Sequence, residues 1–309
     1  TTTLPFNQRI LEDKGRGVFL ASSSLHSDCI YIRRPCDAPW SSPFVSIVIC
    51  TYDRPESLNE TLASLTKQTY KDFEVILITE KGDLSKLRDS GLRCARGDIV
   101  SFIDDDVYCS PTWMEGVVKG FREGIVGVSG PTEIPEQFRD TRDLWRFRFP
   151  LKLHDWLFLE GKETCGGFLS SSGTPSYGSS RWNGGRRVDL KEFICNYLDA
   201  CNMSVRKSEA LAVGGFDLSF NKTSEWCEVD LALKLQISGL LVFSEEASLI
   251  HKPSKAGIYK ARLQTKHRWE NFIYFQRKWE GRVIQKGWRT YAYRAFIWTY
   301  LKLKDLRMI

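Results

Sequence analysis

An α/β fold, with a mostly parallel central sheet flanked by helices, is predicted by three observations. Apolar runs without polar alternation recur at 45–50, 73–78 and 99–103, segments of helical length and periodicity separate them, and the first and third runs end in polar clusters. Continuous apolar strands are those buried on both faces, and the strand–helix–strand order calls for right-handed crossovers. A chain of 309 residues can bury a sizeable core, and 42% hydrophobic with 27% charged residues fits a globular protein rather than a disordered or fibrous one.

The first 44 residues read as an appendage, with short strands in "GVFLA" and "CIYIRR" and a linker in "PCDAPWSSP". "VSIVIC" (45–50) is a buried strand. "SLNETLASLTKQ" (57–68) is a helix with Leu58, Leu62 and Leu65 on one face, and Ser57 with Glu60 reads as a capping box at its start. "FEVILI" (73–78) is the second strand and "LSKLRDSGLRCA" the second helix. The third strand holds Ile99, Val100, Phe102 and Ile103 and delivers Asp104, Asp105 and Asp106 at its end. Further on lie "GGFDLSF" (214–220), a helix within "SEWCEVDLALKLQISG" (224–239) with Gly239 as its stop, a strand in "LLVFS", and "ASLIHKPS" carrying His251.

In parallel sheets ligands bind at the carboxyl ends of strands, so "CTYDR" (50–54) and the three aspartates face one crevice. Three adjacent carboxylates repel one another, and burying them costs several kcal/mol unless a cation or hydrogen-bond donors answer them. A solvated turn is the plain alternative. A carboxylate pair at a strand end is also a seat for Mn²⁺ or Mg²⁺ that leaves positions open for phosphate oxygens. Glu225, Glu228 and Asp230 suit a helix N-terminus on charge grounds alone, and a lone histidine after an apolar pair has a structural reading.

The net charge of +6 is moderate, and basic residues thicken toward the C-terminus. There Arg282, Lys286, Arg289, Arg294, Lys302, Lys304 and Arg307 face only Asp305, interleaved with Trp288, Tyr291, Tyr293, Phe296, Trp298 and Tyr300. That pattern reads either as a packed helix or as a helix lying on an acidic membrane surface. Nine cysteines without a C-x-x-C spacing point to reduced thiols and a cytoplasmic location, at the cytoplasmic face of a membrane if one is involved. The sequons at Asn59, Asn202 and Asn221 then read as accidental. No apolar run reaches the ~18 residues of a membrane span, and the N-terminus lacks the layout of a signal peptide.

Taken in order, "VSIVICTYDRPESLNETLASLTKQTYKDFEVILI", "GLRCARGDIVSFIDDDV", "NYLDACNMSVRKSEALAVGGFDLSF", "EVDLALKLQISG" and "LIHKPS" resemble the GT-A-fold family 2 glycosyltransferases over most of residues 45–251. The resemblance implies a GT-A domain at 45–251, with a nucleotide-sugar-binding half at 45–130 and an acceptor and catalytic half at 131–251. Residues 252–309 form a basic, aromatic, helical extension. It also implies an inverting transferase that uses a nucleotide-diphosphate sugar, UDP favoured with GDP and dTDP open, a divalent metal, and a saccharide or lipid-linked acceptor.

Carried over by position, Cys50, Thr51, Tyr52 and Arg54 lie at the nucleotide, Tyr52 stacking on the base, with Arg88 near it. Asp104 and Asp106 are the outer members of the D-x-D motif, flanking Asp105, and His251 joins them at the metal and diphosphate. Two departures stand out. Cys227-Glu228 replaces the family's Glu-Asp pair, so Glu228 inherits the role of base with Asp230 as rival, and Thr79-Glu80 replaces the aspartate that reads the base, leaving Glu80 or Asp83 as substitutes.

The region 131–197 is expected to shape the acceptor site, and Trp182 within it, together with Asn202 and Trp226 beyond it, are the expected acceptor contacts. "DLWRFRFPLKLHDWLF" (143–158) sets Trp145 and Trp156 among cations, a pattern that plain core also explains. "GGFLSSSGTPSYGSSRWNGG" (166–185) reads as a loop that orders on binding. A nucleic-acid partner is disfavoured because no such motif is present, and a nucleotidyltransferase because "CTYDRPES" has no glycine to cradle a triphosphate. A non-catalytic nucleotide- or carbohydrate-binding module of the same fold is kept open by Cys227-Glu228.

Overall fold

A computed structural model describes residues 20–23, 29–33, 43–138, 153–161, 166–177, 193–253 and 265–306. Trp145, Trp182 and Arg307 lie outside the described residues.

The strands are β1 (Leu20–Ser23), β2 (Cys29–Arg33), β3 (Val45–Cys50), β4 (Phe73–Ile78), β5 (Ile99–Ile103), β6 (Val107–Cys109), β7 (Ile125–Ser129), β8 (Thr132–Glu133), β9 (Gly166–Leu169), β10 (Pro175–Tyr177), β11 (Phe193–Cys195), β12 (Asn202–Arg206), β13 (Leu240–Phe243) and β14 (Leu249–His251). The α-helices are α1 (Pro55–Thr66), α2 (Leu84–Cys94), α3 (Trp113–Gly120), α4 (Lys207–Ala212), α5 (Cys227–Leu235), α6 (Thr265–Trp279) and α7 (Trp288–Asp305), with a π-turn at Asp155–Leu159.

Nine strands form the main sheet in the order β1-β2-β4-β3-β5-β12-β7-β13-β11. β4, β3 and β5 pair in parallel, and β7 and β13 run the same way. β12 runs antiparallel between β5 and β7, so this mainly parallel sheet carries a reversed strand at its centre. β2 pairs antiparallel with β4 and β1 with β2, so these two short strands extend the edge of the main sheet.

The apolar runs are buried on both faces, as continuous patterning requires. Alternate residues of β3 enter different cores. Val45, Ile47 and Ile49 pack with Leu58, Leu62 and Leu65 of α1 and Trp113 of α3, whereas Val48 faces Leu87 and Leu92 of α2 and the apolar side of α5. Gly91 brings α2 close to the sheet: a Cβ there would lie 2.4 Å from Val48 Cγ1.

Two helix boundaries differ from expectation. α1 begins at Pro55, whose fixed φ suits a first helical position, and its N-cap Arg54 makes no side-chain cap; Ser57 is already inside the helix, where its hydroxyl donates to the Arg54 carbonyl at 3.4 Å. α5 ends at Leu235, ahead of Gly239. The first part of the Gly/Ser-rich stretch is a packed hairpin, β9–β10, with Ser170, Ser172 and Thr174 buried in a chain of hydroxyl contacts at 2.9 and 2.8 Å.

The C-terminal extension is folded onto the domain. Phe158, Phe272 and Tyr293 join the π-turn, α6 and α7 in one aromatic cluster, and the Thr265 hydroxyl donates to Asp305 between the ends of α6 and α7. Among the described residues no helix is long and apolar enough to cross a membrane.

Candidate active site

The aspartates that follow β5 are held by different sets of partners. Asp105 is buried; Thr51 Oγ1 donates to its Oδ2 at 2.6 Å and Arg54 Nη1 to its Oδ1 at 2.8 Å. Burial pushes its carboxyl up to about 6 against the pull of Arg54 and the Thr51 hydroxyl. Arg54 also reaches Asp106 Oδ2 at 3.1 Å. Asp105 thus ties the loop after β3 to the end of β5, and its neighbours are left to face the crevice.

His251 reaches this place through a small second sheet. β14 lies between β6 and β8, with His251 in register with Val107, the residue after Asp106. The Lys252 amide donates to the Asp106 carbonyl at 2.8 Å, and His251 Nε2 lies 3.0 Å from Asp106 Oδ1. Asp104, Asp106 and His251 each offer a ligand atom within 4.8 Å of the others. His251 is buried, and its Nδ1 has no hydrogen-bond partner among the described residues. Two carboxylates and an imidazole suit Mn²⁺ or Mg²⁺, and a buried imidazole nitrogen without a partner fits such a use.

Arg88 of α2 is buried between the end of β5 and the start of α5. Its Nη2 lies 3.5 Å from Asp104 Oδ1 and its Nη1 3.6 Å from Cys227 Sγ. Burial raises the Glu228 carboxyl, Arg88 opposes that shift, and the charges of Asp199 and Glu225 add to it. Cys50 lies in the same field, its thiol pushed up to about 12 by burial. Tyr52 is exposed at the mouth, with Lys81 Nζ 5.9 Å from its ring centre.

The segment leading to Glu228 is bent into an uncommon backbone. Lys222, Ser224 and Trp226 have φ of 55°, 49° and 71°, a left-handed region that costs side-chain-bearing residues energy unless their surroundings hold it. Asn271 of α6 supplies such a hold: Asn221 N donates to its Oδ1 and its Nδ2 donates to Asn221 O, both at 2.9 Å. On the other side Asp83, at the start of α2, accepts from the Lys222 amide at 2.8 Å.

Asp230, the second carboxylate expected near the chemistry, is fully buried on another side of α5. Trp279 Nε1 donates to it at 2.8 Å, Lys278 Nζ lies at 2.7 Å and Lys234 Nζ at 3.7 Å. Asn202 is buried as well. Its Oδ1 accepts from Trp113 Nε1 at 3.0 Å and its Nδ2 donates to the carbonyls of Ala247 at 2.8 Å and Pro131 at 3.3 Å, so both amide hydrogens are engaged within the fold. Trp226 packs on Phe272 with ring centres 5.1 Å apart, and Glu80 is exposed beyond β4.

Asp199 was not expected at the site. It precedes β12, and because β12 is antiparallel to β5 with Asn202 opposite Ile103, the start of β12 and the end of β5 share one edge. The sequence signal was a carboxylate beside a buried strand, read at strand ends and not at strand starts.

The profile of "Glycosyl transferase family 2" matches residues 46–81 and 78–170, the stretch that carries Thr51, Arg88 and the three aspartates. Over that stretch the chain is similar to glycosyl transferase family 2. A glucosyl-dolichyl phosphate glucuronosyltransferase of Haloferax volcanii is 28% identical over 121 residues, 30% of this chain and 39% of that protein. An uncharacterised glycosyltransferase of Bacillus subtilis, EpsJ, is 25% identical over 114 residues, 28% of this chain and 33% of that one. The chain thus matches roughly a third of the length of these curated relatives.

Among solved structures, the mannosyltransferase PcManGT from Pyrobaculum calidifontis, in complex with GDP-Man and Mn²⁺, superposes with a TM-score of 0.47 at 14% identity, over 87% of this chain and 74% of that one. GalNAc-T7 with UDP, GalNAc and Mn²⁺ gives 0.48 at 12%, over 84% and 55%.

Proposed function

We propose that this chain is a family 2, inverting glycosyltransferase that moves a sugar from a nucleotide-diphosphate sugar to a saccharide or lipid-linked acceptor. The observation that carries the reading is the meeting of Asp104, Asp106 and His251 within 4.8 Å at the strand edge, with Arg88 between Asp104 and the start of α5. The family match supports transfer, and the name of the Haloferax relative supports a lipid-linked acceptor.

Asp104, Asp106 and His251 would hold Mn²⁺ or Mg²⁺, which when bound supplies positive charge beside the leaving diphosphate. Asp105, fixed by Thr51 and Arg54, keeps the loop after β3 and the D-x-D turn in one arrangement. Tyr52, exposed at the mouth, offers a ring for the base. In the chemical step the acceptor oxygen bonds to the anomeric carbon, the bond from that carbon to the phosphate oxygen breaks with its electron pair leaving on the diphosphate, and the hydroxyl proton passes to the Glu228 carboxylate. Attack from the face opposite the leaving group inverts the anomeric centre.

Asp230 serves the fold in this reading, because its carboxylate is engaged by Trp279 and Lys278. The test is a thermal-shift and calorimetric screen of UDP-, GDP- and dTDP-sugars with Mn²⁺ and with EDTA. A donor that binds only with metal, and fails to bind an Asp106→Asn protein, supports the reading; equal binding in EDTA contradicts it. Binding with no transfer or donor hydrolysis would favour the non-catalytic module.

A further inference from the structure

α7 is packed on one face and bare on the other. Thr290, Tyr293 and Leu301 are buried, and Tyr293 stacks among Phe158, Phe272 and Phe296. Trp288, Tyr291, Ala295, Trp298 and Lys302 are exposed and recur at alternating steps of three and four residues, the spacing of a single helix face. Trp288, Tyr291 and Trp298 are 59%, 55% and 50% exposed, and Leu306 just beyond the helix is 66% exposed. Scattered single apolar side chains need no explanation, but an aromatic stripe along one helix face does.

The charge around the stripe identifies what covers it. Arg289 lies over the Trp288 ring at 5.5 Å and Arg294 over the Tyr291 ring at 5.6 Å, so cations sit on the aromatics instead of apart from them. From 282 to 306 the basic residues are Arg282, Lys286, Arg289, Arg294, Lys302 and Lys304; Arg294 is paired with Glu280, just beyond α6, at 3.0 Å, and the one acid within the stretch, Asp305, accepts from Thr265. A second copy brought against this face would set these cations against their own kind, whereas an anionic surface answers them. Tryptophan and tyrosine with lysine and arginine beside them are the side chains that settle at the headgroup level of a bilayer.

We propose that the outward face of α7 docks in plane on an anionic phospholipid surface, with Trp288, Tyr291 and Trp298 entering the headgroup layer and the surrounding cations paired with lipid phosphates. Trp156, 61% exposed, sits on the π-turn that packs against α7 through His154 and Phe158 and so flanks the same helix. The inference goes beyond sugar transfer and stands without it, since none of these residues belongs to the candidate active site.

The experiment is sedimentation of the full chain with phosphatidylcholine vesicles, with and without phosphatidylglycerol, across a salt series. The wild type is expected to partition at least about tenfold more strongly to the anionic vesicles and to be released as salt rises, because attraction of basic residues to such surfaces is screened by ions. A Trp288→Ser/Trp298→Ser double variant should lose this partition by about tenfold or more while its circular dichroism, melting temperature and nucleotide-sugar binding match the wild type. Because both positions are exposed on the bare face, the variant is expected to fold. Should it prove unstable, an Arg289→Glu/Lys302→Glu variant tests the same surface through charge. Equal partition to neutral and anionic vesicles, or variants that bind anionic vesicles as the wild type does, overturn the proposal. So does a wild type that forms a dimer through this face, dissolved by the double variant, and ignores lipid.

Discussion

Trp279 Nε1 donates to Asp230 Oδ1 at 2.8 Å, and the bond joins the last turn of α6 to α5, the helix that carries Glu228 in its first turn. The residues lie 49 apart in sequence, and the acceptor is fully buried. The C-terminal extension therefore sets the seat of the candidate base. Replacing Trp279 with Phe keeps most of the ring and removes the donor to a buried charge, a loss of roughly 1.5 to 3 kcal/mol. Urea denaturation should show that drop, and turnover should fall while donor affinity holds, since α5 loses an anchor and the metal cluster does not.

Asp217 sits on the same network, with Lys278 Nζ at 2.5 Å, Tyr274 Oη at 2.8 Å and the Ser219 amide at 2.9 Å. Burial pushes its carboxyl up, but Lys278, the Ser219 amide and Tyr274 together outweigh burial and hold it well below the usual carboxylate range. A depressed folded value means that the contribution to stability is present above the unfolded carboxylate value near ~4 and is lost as pH falls through the folded one. An Asp217→Asn protein should therefore be less stable than wild type at neutral pH, and the gap in urea midpoint should close progressively below about pH 4. A gap that stays constant down to acid pH would count against this role.

Arg88 reaches from the D-x-D motif to the start of α5. It favours the ionised form of Glu228, which burial opposes. Removing the cation in Arg88→Met should raise the Glu228 carboxyl further. A base works only when ionised, so the acid limb of the rate–pH profile should move to higher pH. Arg88→Lys, which keeps the charge but not the fork, should restore part of the shift. Profiles that superpose for wild type and Arg88→Met would remove Arg88 from the account.

How much of this was legible follows from the range of each signal. β3, β4 and β5 show in the sequence because strands buried on both faces are apolar throughout, and the aspartates show because they end such a run. The start of α1 was misplaced by two residues because Pro55 outweighs a Ser–Glu capping pattern. Asp199 escaped notice because its place depends on β12 running backwards, which an apolar run does not reveal. Asn202 and Asp230 drew attention as polar residues near motif positions, yet their partners, Trp113 and Trp279, are 89 and 49 residues away. Likewise the extension read as basic and aromatic, and only packing divides it into a buried face at Tyr293 and an open one at Trp298.

The central claim is that Glu228 takes the acceptor proton while Asp104, Asp106 and His251 serve the donor. Its most direct test is single-turnover transfer by Glu228→Gln beside calorimetric donor binding, with Asp230→Asn as the matched control. The glutamine keeps size and hydrogen bonding and removes basicity, so donor affinity should stay near wild type while the chemical step slows by about 10² to 10⁴, the usual worth of a positioned base. Asp230→Asn should lower stability more than the chemical step. A Glu228→Gln protein that transfers sugar at the wild-type rate would contradict the claim.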